Sequence, residues 1–278
     1  MKTFSKTSPS VCPGSLMPTV VHTIHFNVLG PLNVCLHGRP VNLGSARQRA
    51  VLSALLLAPG RPMTAEELTE AIWPRKAPAG AAGCLHSYVS HLRRVLEPQR
   101  APRERDNLLR RQPNGYVLEV APESLDAIRF ERLLQEGRAQ LSAGRPQQTI
   151  LTVREALALW RGGPHPEVSD YPGAAQVAAR YEELRLLALE TLWEAELASE
   201  HGMTLLTDEL PALSRKFPTR ERFSWLLMKA LYRSGRRAEA IDAYHHTRRT
   251  LAEEYGIDPG AELQELFGRI ICGDPLAG

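Results

Sequence analysis

The side chains with the clearest chemical potential lie in AAGCLHSYVSHLRRVL, residues 81–96. Apolar residues recur there at helical spacing, which predicts a helix with one face packed inward. These residues are Leu85, Val89, Leu92 and Leu96, with Tyr88 and Val95 beside them. The opposite face presents hydroxyls, an imidazole and a guanidinium group, from Ser87, Ser90, His91 and Arg94, and Arg93 lies on the flank. Serine and arginine can reach base edges from a helix in a major groove, while flanking cations hold phosphates. A solvated basic face is the competing interpretation, and it is the commoner one for an isolated helix.

A second basic segment follows, and it bears on the choice between a DNA-binding helix and a solvated basic face. LLRRQ (108–112) and YVLEV (116–120) are typical of strands, and the Asn114-Gly115 pair between them predicts a β-hairpin. The polar side chains near its turn are Arg110, Arg111 and Gln112. The loop that leads into the hairpin adds three more guanidinium groups, from Arg100, Arg103 and Arg105. A basic helix followed by a basic hairpin favours the nucleic-acid interpretation.

Short local signals predict the elements that must position this helix. Residues 24–29 and 32–37 have strand composition, and residues 40–43 form a third short strand. A helix is predicted to begin after Ser45 and to end near Pro59. Strands followed by helices and a hairpin, in this order, predict a winged helix.

A second helix is predicted between these elements and the basic helix. Thr64 and Glu67 form a capping box at its start, and Pro74 stops it. A loop rich in proline, alanine and glycine (74–83) connects it to the basic helix.

The distribution of charge separates the two halves of the chain. Residues 22–120 carry 13 Lys and Arg against 7 Asp and Glu, a net charge of +6. Residues 121–278 carry 19 against 24, a net charge of −5. A basic half joined to an acidic half suggests that only the first half meets a polyanion.

Composition sets the broad class. The chain has 278 residues, of which 43% are hydrophobic and 23% charged, which is typical of a globular protein with two domains. No apolar run approaches the length of a membrane span, and residues 1–21 are predicted to be a disordered tail rather than a signal peptide, so a cytoplasmic protein is expected. The four cysteines (Cys12, Cys35, Cys84 and Cys272) are too scattered to indicate a metal site or a disulfide framework, and no cofactor is expected.

The second half is helical in pattern from about residue 124 onward. Helices are predicted in pairs, which favours an array of helical repeats. The strongest unit is ALYRSGRRAEAIDAY (230–244), where Gly235, Ala240 and Tyr244 sit as in a tetratricopeptide repeat. Earlier units are degenerate, with Thr149 where a small alanine is expected.

The first half resembles the OmpR-type winged helix of the Streptomyces antibiotic regulatory protein (SARP) family. The segments that carry the resemblance are FNVLGPL (26–32), ARQRAVLSALLLAPG (46–60), the helix from Thr64 to Trp73, SYVSHLRRVL (87–96) and NGYVLEV (114–120). The resemblance implies that the basic helix enters the major groove and the hairpin wing the minor groove. It implies base-side roles for Ser87, His91 and Arg94, phosphate contacts by Tyr88, Ser90 and Arg93, and wing contacts by Arg110, Arg111 and Gln112. Family members usually have arginine where this chain has His91, so the base read there is expected to differ.

The second half looks like the bacterial transcriptional activation domain of the same family. The matching segments are DAIRFERLLQEGR (126–138), ALALWRGGP (156–164), YEELRLLALE (181–190), LLMKALYRSGRRAEAIDAY (226–244) and YGIDPGAELQEL (255–266). The fold expected is therefore multidomain and mainly α, with a winged helix-turn-helix (α+β) at 22–121 and an all-α tetratricopeptide-like domain at 122–274.

The resemblance also implies the function and the partners. The expected protein is a sequence-specific activator that binds double-stranded DNA at direct repeats in promoters, as a dimer or tandem pair. It is expected to recruit RNA polymerase, including the sigma subunit, and to control antibiotic or secondary-metabolite genes.

Three other classes of protein are weighed against this one. Nucleotide-binding loops, metalloprotease motifs and nucleophile elbows are missing from the sequence, so no catalytic residue is assigned and an enzyme is not expected. A pure interaction scaffold explains the helical repeats but not the basic helix and wing. A response regulator would need a receiver domain ahead of the winged helix, where only about twenty residues stand.

Overall fold

The computed structural model of the protein describes residues 24–98, 108–199 and 203–275. The predicted tail at 1–21 and the three arginines of the loop before the hairpin lie outside the described residues.

An antiparallel three-stranded sheet opens the chain. Its strands are β1 (Ile24–Asn27), β2 (Asn33–Leu36) and β3 (Arg39–Pro40), hydrogen-bonded in that order. Phe26 lies opposite Val34, and both side chains are fully buried. The first strand ends earlier than the composition of 24–29 predicts, because the backbone N–H groups of Val28 and Leu29 donate to a carboxylate of the helical half instead of to a strand.

Three helices follow the first sheet. They are α1 (Ala46–Leu56), α2 (Ala65–Ile72) and α3 (Ala81–Leu96). Ser45 caps α1, and Thr64 caps α2 in a capping box with Glu67, as predicted. The Ser45 cap is itself a capping box, since the Gln48 side chain accepts from the Ser45 backbone N–H at 2.7 Å. Residues 81–96 form a helix over the whole predicted range.

The hairpin wing belongs to a second small sheet. Its strands are β4 (Met63–Thr64), β5 (Leu109–Gln112) and β6 (Gly115–Leu118), in the order β4-β6-β5. The hairpin is present as predicted, but the two turn residues are Pro113 and Asn114, and Gly115 pairs with Gln112 as the first residue of β6. A Cβ on Gly115 would lie 1.9 Å from the Met63 carbonyl oxygen, so the glycine is needed for the close approach of β4.

The remainder of the described chain is helical and paired, which confirms the predicted fold class. The helices are α4 (Asp126–Ser142), α5 (Pro146–Ala158), α6 (Pro172–Ala198), α7 (Met203–Lys216), α8 (Glu221–Arg233), α9 (Arg237–Thr250) and α10 (Ala261–Cys272). A π-helical turn, Leu251–Tyr255, extends α9, and two 3-10 turns lie at Pro122–Ser124 and Pro166–Val168.

The repeat features of the sequence sit where a helical hairpin needs them. Gly235 makes the turn between α8 and α9 with φ +76°, and Ala240 is fully buried between the paired helices. Tyr244 stacks on Phe267 of α10 with ring centroids 3.8 Å apart. The last three helices therefore form one packed unit.

The first helical pair achieves its close packing in another way. Thr149 is fully buried, and its one hydroxyl proton is shared between the backbone carbonyls of Gly137 (3.3 Å) and Arg145 (3.1 Å). The close contact between α4 and α5 falls at Gly137, where a Cβ would lie 2.5 Å from a methyl of Val153. The larger residue at 149 is accommodated because its hydroxyl is hydrogen-bonded and its neighbour is glycine.

Two apolar cores result, and the division between them falls within α6. The first core joins Phe26 and Leu92 of the winged helix to Phe130 of α4 and Ala188 of α6. The second core contains Trp193 at the end of α6 and the buried faces of α8 and α10. The winged helix and the first three helices behind it therefore share one packed interior. Within the described ranges, the structure contains no helix long and apolar enough to span a membrane.

Candidate nucleic-acid interface

Helix α3 is held by its apolar face. Leu85, Val89, Leu92 and Leu96 are all buried, as the spacing predicts. Ser87, Ser90 and Arg94 are exposed on the other side. The helix therefore offers a polar face to a partner while α1 and α2 pack against its apolar side.

Arg94 is oriented by a neighbour on the same helix. One guanidinium nitrogen of Arg94 lies 3.2 Å from Nδ1 of His91, and a guanidinium is always the donor, so Nδ1 accepts. The other imidazole nitrogen, Nε2, is buried against the turn before α1, where a Cβ on Gly44 would lie 2.9 Å from it. The geometry places His91 as a support for Arg94 between two elements, and it leaves the guanidinium exposed.

Two other residues of the predicted set are engaged in local contacts. Tyr88 is half-buried, with its ring centroid 6.2 Å from that of Trp73 at the end of α2. The Ser90 hydroxyl donates to the His86 carbonyl at 2.8 Å. It can therefore still accept a hydrogen bond, although its proton is already used.

Arg93 connects α3 to the wing. Its Nε donates to the Leu109 carbonyl at 2.9 Å, and the Glu97 carboxylate accepts from the Leu108 backbone N–H at 3.3 Å. Both bonds run from the last turn of α3 to the start of β5. Side chains from the last turn of α3 and from the residue that follows it thus position the wing relative to the helix.

The three polar residues of the wing differ in their exposure and in their partners. Arg110 forms an ion pair with Glu119 across the hairpin, and both side chains are about half exposed. Arg111 is exposed on the next position of β5, and within the described part of the chain it forms no ion pair. Gln112 is half-buried beside the turn. Arg111 is therefore the wing cation most available to a phosphate.

The structure also contains a joint between the two halves that the sequence did not indicate. The Asp126 carboxylate, at the first residue of α4, is buried and accepts from the backbone N–H groups of Val28 (2.8 Å) and Leu29 (3.2 Å). Arg161 lies 3.6 Å from it. Burial raises the pKa of Asp126, although both N–H groups and the Arg161 charge act in the opposite direction.

The loop before α6 completes this joint from the other side. The backbone N–H of Arg161 donates to the Leu29 carbonyl at 2.7 Å, and the Glu167 carboxylate accepts from the Leu32 N–H at 2.7 Å. Gly30, with φ +137°, lies so close to this loop that a Cβ would be 2.9 Å from the Arg161 carbonyl carbon. A side chain at position 30 would separate the two backbones.

A buried histidine fastens α1 to the same loop. Nδ1 of His165 lies 3.0 Å from the Ser53 hydroxyl, and the imidazole is only 2% exposed. Burial lowers the pKa of His165 to about 4, with a smaller opposing effect of hydrogen bonding at Ser53. His165 is therefore neutral near pH 7, and its left-handed backbone (φ 50°) turns the chain into the short 3-10 turn.

Taken together, the winged helix has an exposed polar helix face, a wing hydrogen-bonded to that helix, and a hydrogen-bonded and packed attachment to the helical half. In the ranges that the structure describes, no group of three or more histidine, cysteine or acidic side chains is arranged to hold a metal ion. Arg94 on α3 and Arg111 on the wing present exposed guanidinium groups, which are suited to charge-assisted hydrogen bonds with anionic groups.

Two family models match this chain. Residues 125–271 match the bacterial transcriptional activator domain, and residues 38–118 match the family described as transcriptional regulatory protein, C terminal. The first match covers the helical half, and the second covers the winged helix from β3 to the wing, without β1 and β2.

Characterised regulators are similar over nearly the whole chain. The regulatory protein AfsR of Streptomyces coelicolor is 40% identical over 253 residues, which cover 91% of this chain and 24% of AfsR. The regulatory protein DnrI of Streptomyces peucetius is 34% identical over 257 residues, which cover 91% of this chain and 93% of DnrI. The chain thus spans about a quarter of AfsR but almost all of DnrI.

A solved structure agrees with the fold. Mycobacterium tuberculosis EmbR, in a complex with a low affinity phosphopeptide, superposes with a TM-score of 0.83 at 34% sequence identity. The match covers 92% of this chain and 66% of EmbR.

Proposed function

This chain belongs to the Streptomyces antibiotic regulatory protein family of transcriptional regulators, and from that premise we propose that it activates promoters by binding direct repeats in double-stranded DNA and recruiting RNA polymerase. The observation that carries the proposal is the pairing of the exposed face of α3 with a wing fastened to that same helix. A major-groove helix and an adjacent wing need this fixed relation, because phosphate contacts set the register in which side chains meet base edges.

Base recognition is assigned to the exposed end of α3. Arg94 is the strongest candidate, since arginine can donate two hydrogen bonds to guanine in the major groove. Ser87, exposed on the same helix, and His91 complete the proposed base-side set. His91 acts in part through the Arg94 side chain that it orients.

Phosphate binding is assigned to the flanks. Tyr88, Ser90 and Arg93 remain the proposed contacts on α3, and Arg110, Arg111 and Gln112 those on the wing. Because Arg110 is already paired with Glu119, Arg111 is expected to contribute more to phosphate binding. A chromosomal target implies that the protein acts in the cytoplasm, at the nucleoid.

Two copies are proposed to lie head to tail on one face of the duplex, with repeats spaced by one helical turn or a multiple of it. The loop between α2 and α3 and the helical half are the proposed contact surfaces for RNA polymerase and its sigma subunit. The target genes are proposed to belong to a secondary-metabolite cluster, in line with the family to which the chain belongs. The function is regulatory rather than enzymatic.

The proposal is tested by fluorescence anisotropy with promoter duplexes from the gene's own neighbourhood. Tight, salt-sensitive binding that is lost when the direct repeats are scrambled is expected. Equal affinity for every duplex would overturn sequence-specific regulation by this chain.

Replacing Arg94 with alanine is expected to weaken binding to the best duplex by about 1–3 kcal/mol and to relax the preference at one base pair. The reason is the loss of a bidentate contact that only one base pair satisfies. The measurement is a competition assay in which each position of the repeat is changed in turn. Arg132→Ala, which removes an exposed arginine of α4, is the matched control and should behave as the parent. Unchanged discrimination in Arg94→Ala would place the base-reading surface elsewhere.

Replacing Arg111 with alanine is expected to weaken specific and scrambled duplexes by the same factor. It should also lower the slope of log affinity against log salt by about one, because one phosphate neutralisation is lost. Arg110→Ala serves as the comparison and should change the slope less, since Glu119 already neutralises that guanidinium. A larger effect at Arg110 than at Arg111 would contradict this assignment of the wing.

A further inference from the structure

A groove of about 660 Å³ lies on the helical half, between α4, α6 and α8. Four cationic side chains line it, from Arg138, Arg222, Lys229 and Arg233. The volume falls within the range of small-molecule sites in proteins. This half of the chain has a net negative charge, yet four of its cationic side chains line one concave surface.

The two carboxylates that line the groove are each paired with an arginine, and one of these arginines, Arg222, also lines the groove. Glu190 accepts from Arg220 at 2.6 Å, and Glu194 forms an ion pair with Arg222 at 2.9 Å. Within the described residues, Arg138, Lys229 and Arg233 have no carboxylate within ion-pair distance. These three are called the groove cations below. Their charge is therefore left for a ligand to balance.

An aromatic ring holds one of the groove cations in position. The Lys229 ammonium lies 5.1 Å from the Trp225 ring centroid, and the Arg222 guanidinium lies 4.3 Å from it. One guanidinium nitrogen of Arg233 donates to the Leu197 carbonyl at 2.5 Å, which directs that side chain across the groove wall. Burial lowers the pKa of Lys229, and the charges of Arg233 and Arg222 lower it further. The positive charges of Lys229, Arg233 and Arg222 thus repel one another, and Glu194 only partly offsets this repulsion at Lys229.

We propose that this groove binds a small organic anion carrying two or more carboxylate or phosphate charges, with the groove cations as its contacts. A charge-assisted hydrogen bond is about twice as strong as a neutral one, and a ligand that bridges all three cations would also relieve their mutual repulsion. The proposal goes beyond DNA binding and does not depend on it, because the groove lies on α4, α6 and α8 and not on α3 or the wing.

The test is isothermal titration calorimetry of the full chain with two probes, pyrophosphate and benzene-1,3,5-tricarboxylate. One-to-one binding of at least one probe is expected. Lys229→Gln and Arg138→Gln are each expected to weaken it at least tenfold. Lys216→Gln is the matched control, because Lys216 is exposed on α7, also lies over an aromatic ring, and is outside the groove. Without ligand, Lys229→Gln should melt at or above the parent's temperature, which separates lost binding from unfolding.

Three results would overturn the proposal. The first is the absence of one-to-one binding for both probes at millimolar concentration. The second is a Lys229→Gln variant that binds a probe as tightly as Lys216→Gln does. The third is displacement of the probe by an unrelated duplex, with Lys229→Gln weakening duplex binding equally, since the groove would then belong to the DNA surface.

Discussion

Replacing Asp126 with alanine is expected to lower the free energy of unfolding by about 2–4 kcal/mol. The substitution leaves the backbone N–H groups of Val28 and Leu29 buried without their acceptor, and an unsatisfied buried donor is costly. It also removes the ion-pair partner of Arg161. The loss stays below the sum of these effects, because the cost of burying a carboxylate, visible in the raised pKa of Asp126, disappears with it.

Urea denaturation at pH 7 measures this loss of stability, and two further variants test its cause. Asp126→Asn should lose less than the alanine variant, since the amide oxygen can still accept one of the two N–H groups. Asp170→Ala, an exposed acid before α6, is the matched control and should change stability by less than about 0.5 kcal/mol. A loss in Asp126→Ala no larger than in Asp170→Ala would mean that the joint contributes nothing to stability.

The position of Asp126 shows why the joint could not be predicted. An acidic residue at the first turn of a helix is common, because it favours the positive end of the helix dipole. Nothing local distinguishes that role from acceptance of N–H groups 98 and 97 residues away. The segments 26–32 and 156–164 both carried the family resemblance, but neither contained a sign that it packs on the other.

The elements with purely local signals were predicted well. The range of α3 follows from its apolar spacing, the cap at Ser45 from a hydroxyl residue ahead of an apolar stripe, and the cap at Thr64 from its capping box with Glu67. The wing turn was predicted one residue too late. Gly115 looks like a turn residue, and only the neighbouring two-residue strand β4 shows that it is there for close approach.

In the candidate interface, too, the local sequence predicts some features, whereas others depend on contacts with distant elements. Exposure of Ser87, Ser90 and Arg94 follows from helical periodicity alone. The second contacts of His91 and Arg93 come from the turn before α1 and from β5, which the helix sequence cannot reveal. Their assigned contacts with DNA stay predictions, and the structure adds that both also position other parts of the interface.

A second large effect is expected from His165, in the dependence of stability on pH. Its folded-state pKa is about 4, below the ordinary 6.5, because the buried imidazole resists protonation. As pH falls from 6.5 to 4, His165 becomes protonated in the unfolded chain but stays neutral in the folded protein. Protonation therefore stabilises the unfolded state, and the free energy of unfolding falls. Below pH 4 both states hold the proton and the contribution stops changing. The total loss from this one group is about 3 kcal/mol.

His165→Asn removes the titrating group and keeps the left-handed backbone conformation at this position. Asparagine tolerates the left-handed conformation at this position, and its side chain can still meet the Ser53 hydroxyl. Between pH 7 and pH 4 the parent is therefore expected to lose about 3 kcal/mol more stability than the variant, measured by urea denaturation at intervals of half a pH unit.

The comparison between parent and variant isolates His165 from its neighbours in the joint. The raised pKa of Asp126 acts with the opposite sign, favouring the folded state as pH falls, and it cancels because both proteins contain that carboxylate. His246→Asn, at an exposed position of α9, is the control and should follow the parent's curve. Parallel curves for the parent and His165→Asn would show that His165 is protonated in the folded protein as readily as in the unfolded chain. In that case the contact between α1 and the loop before α6 would have to admit water.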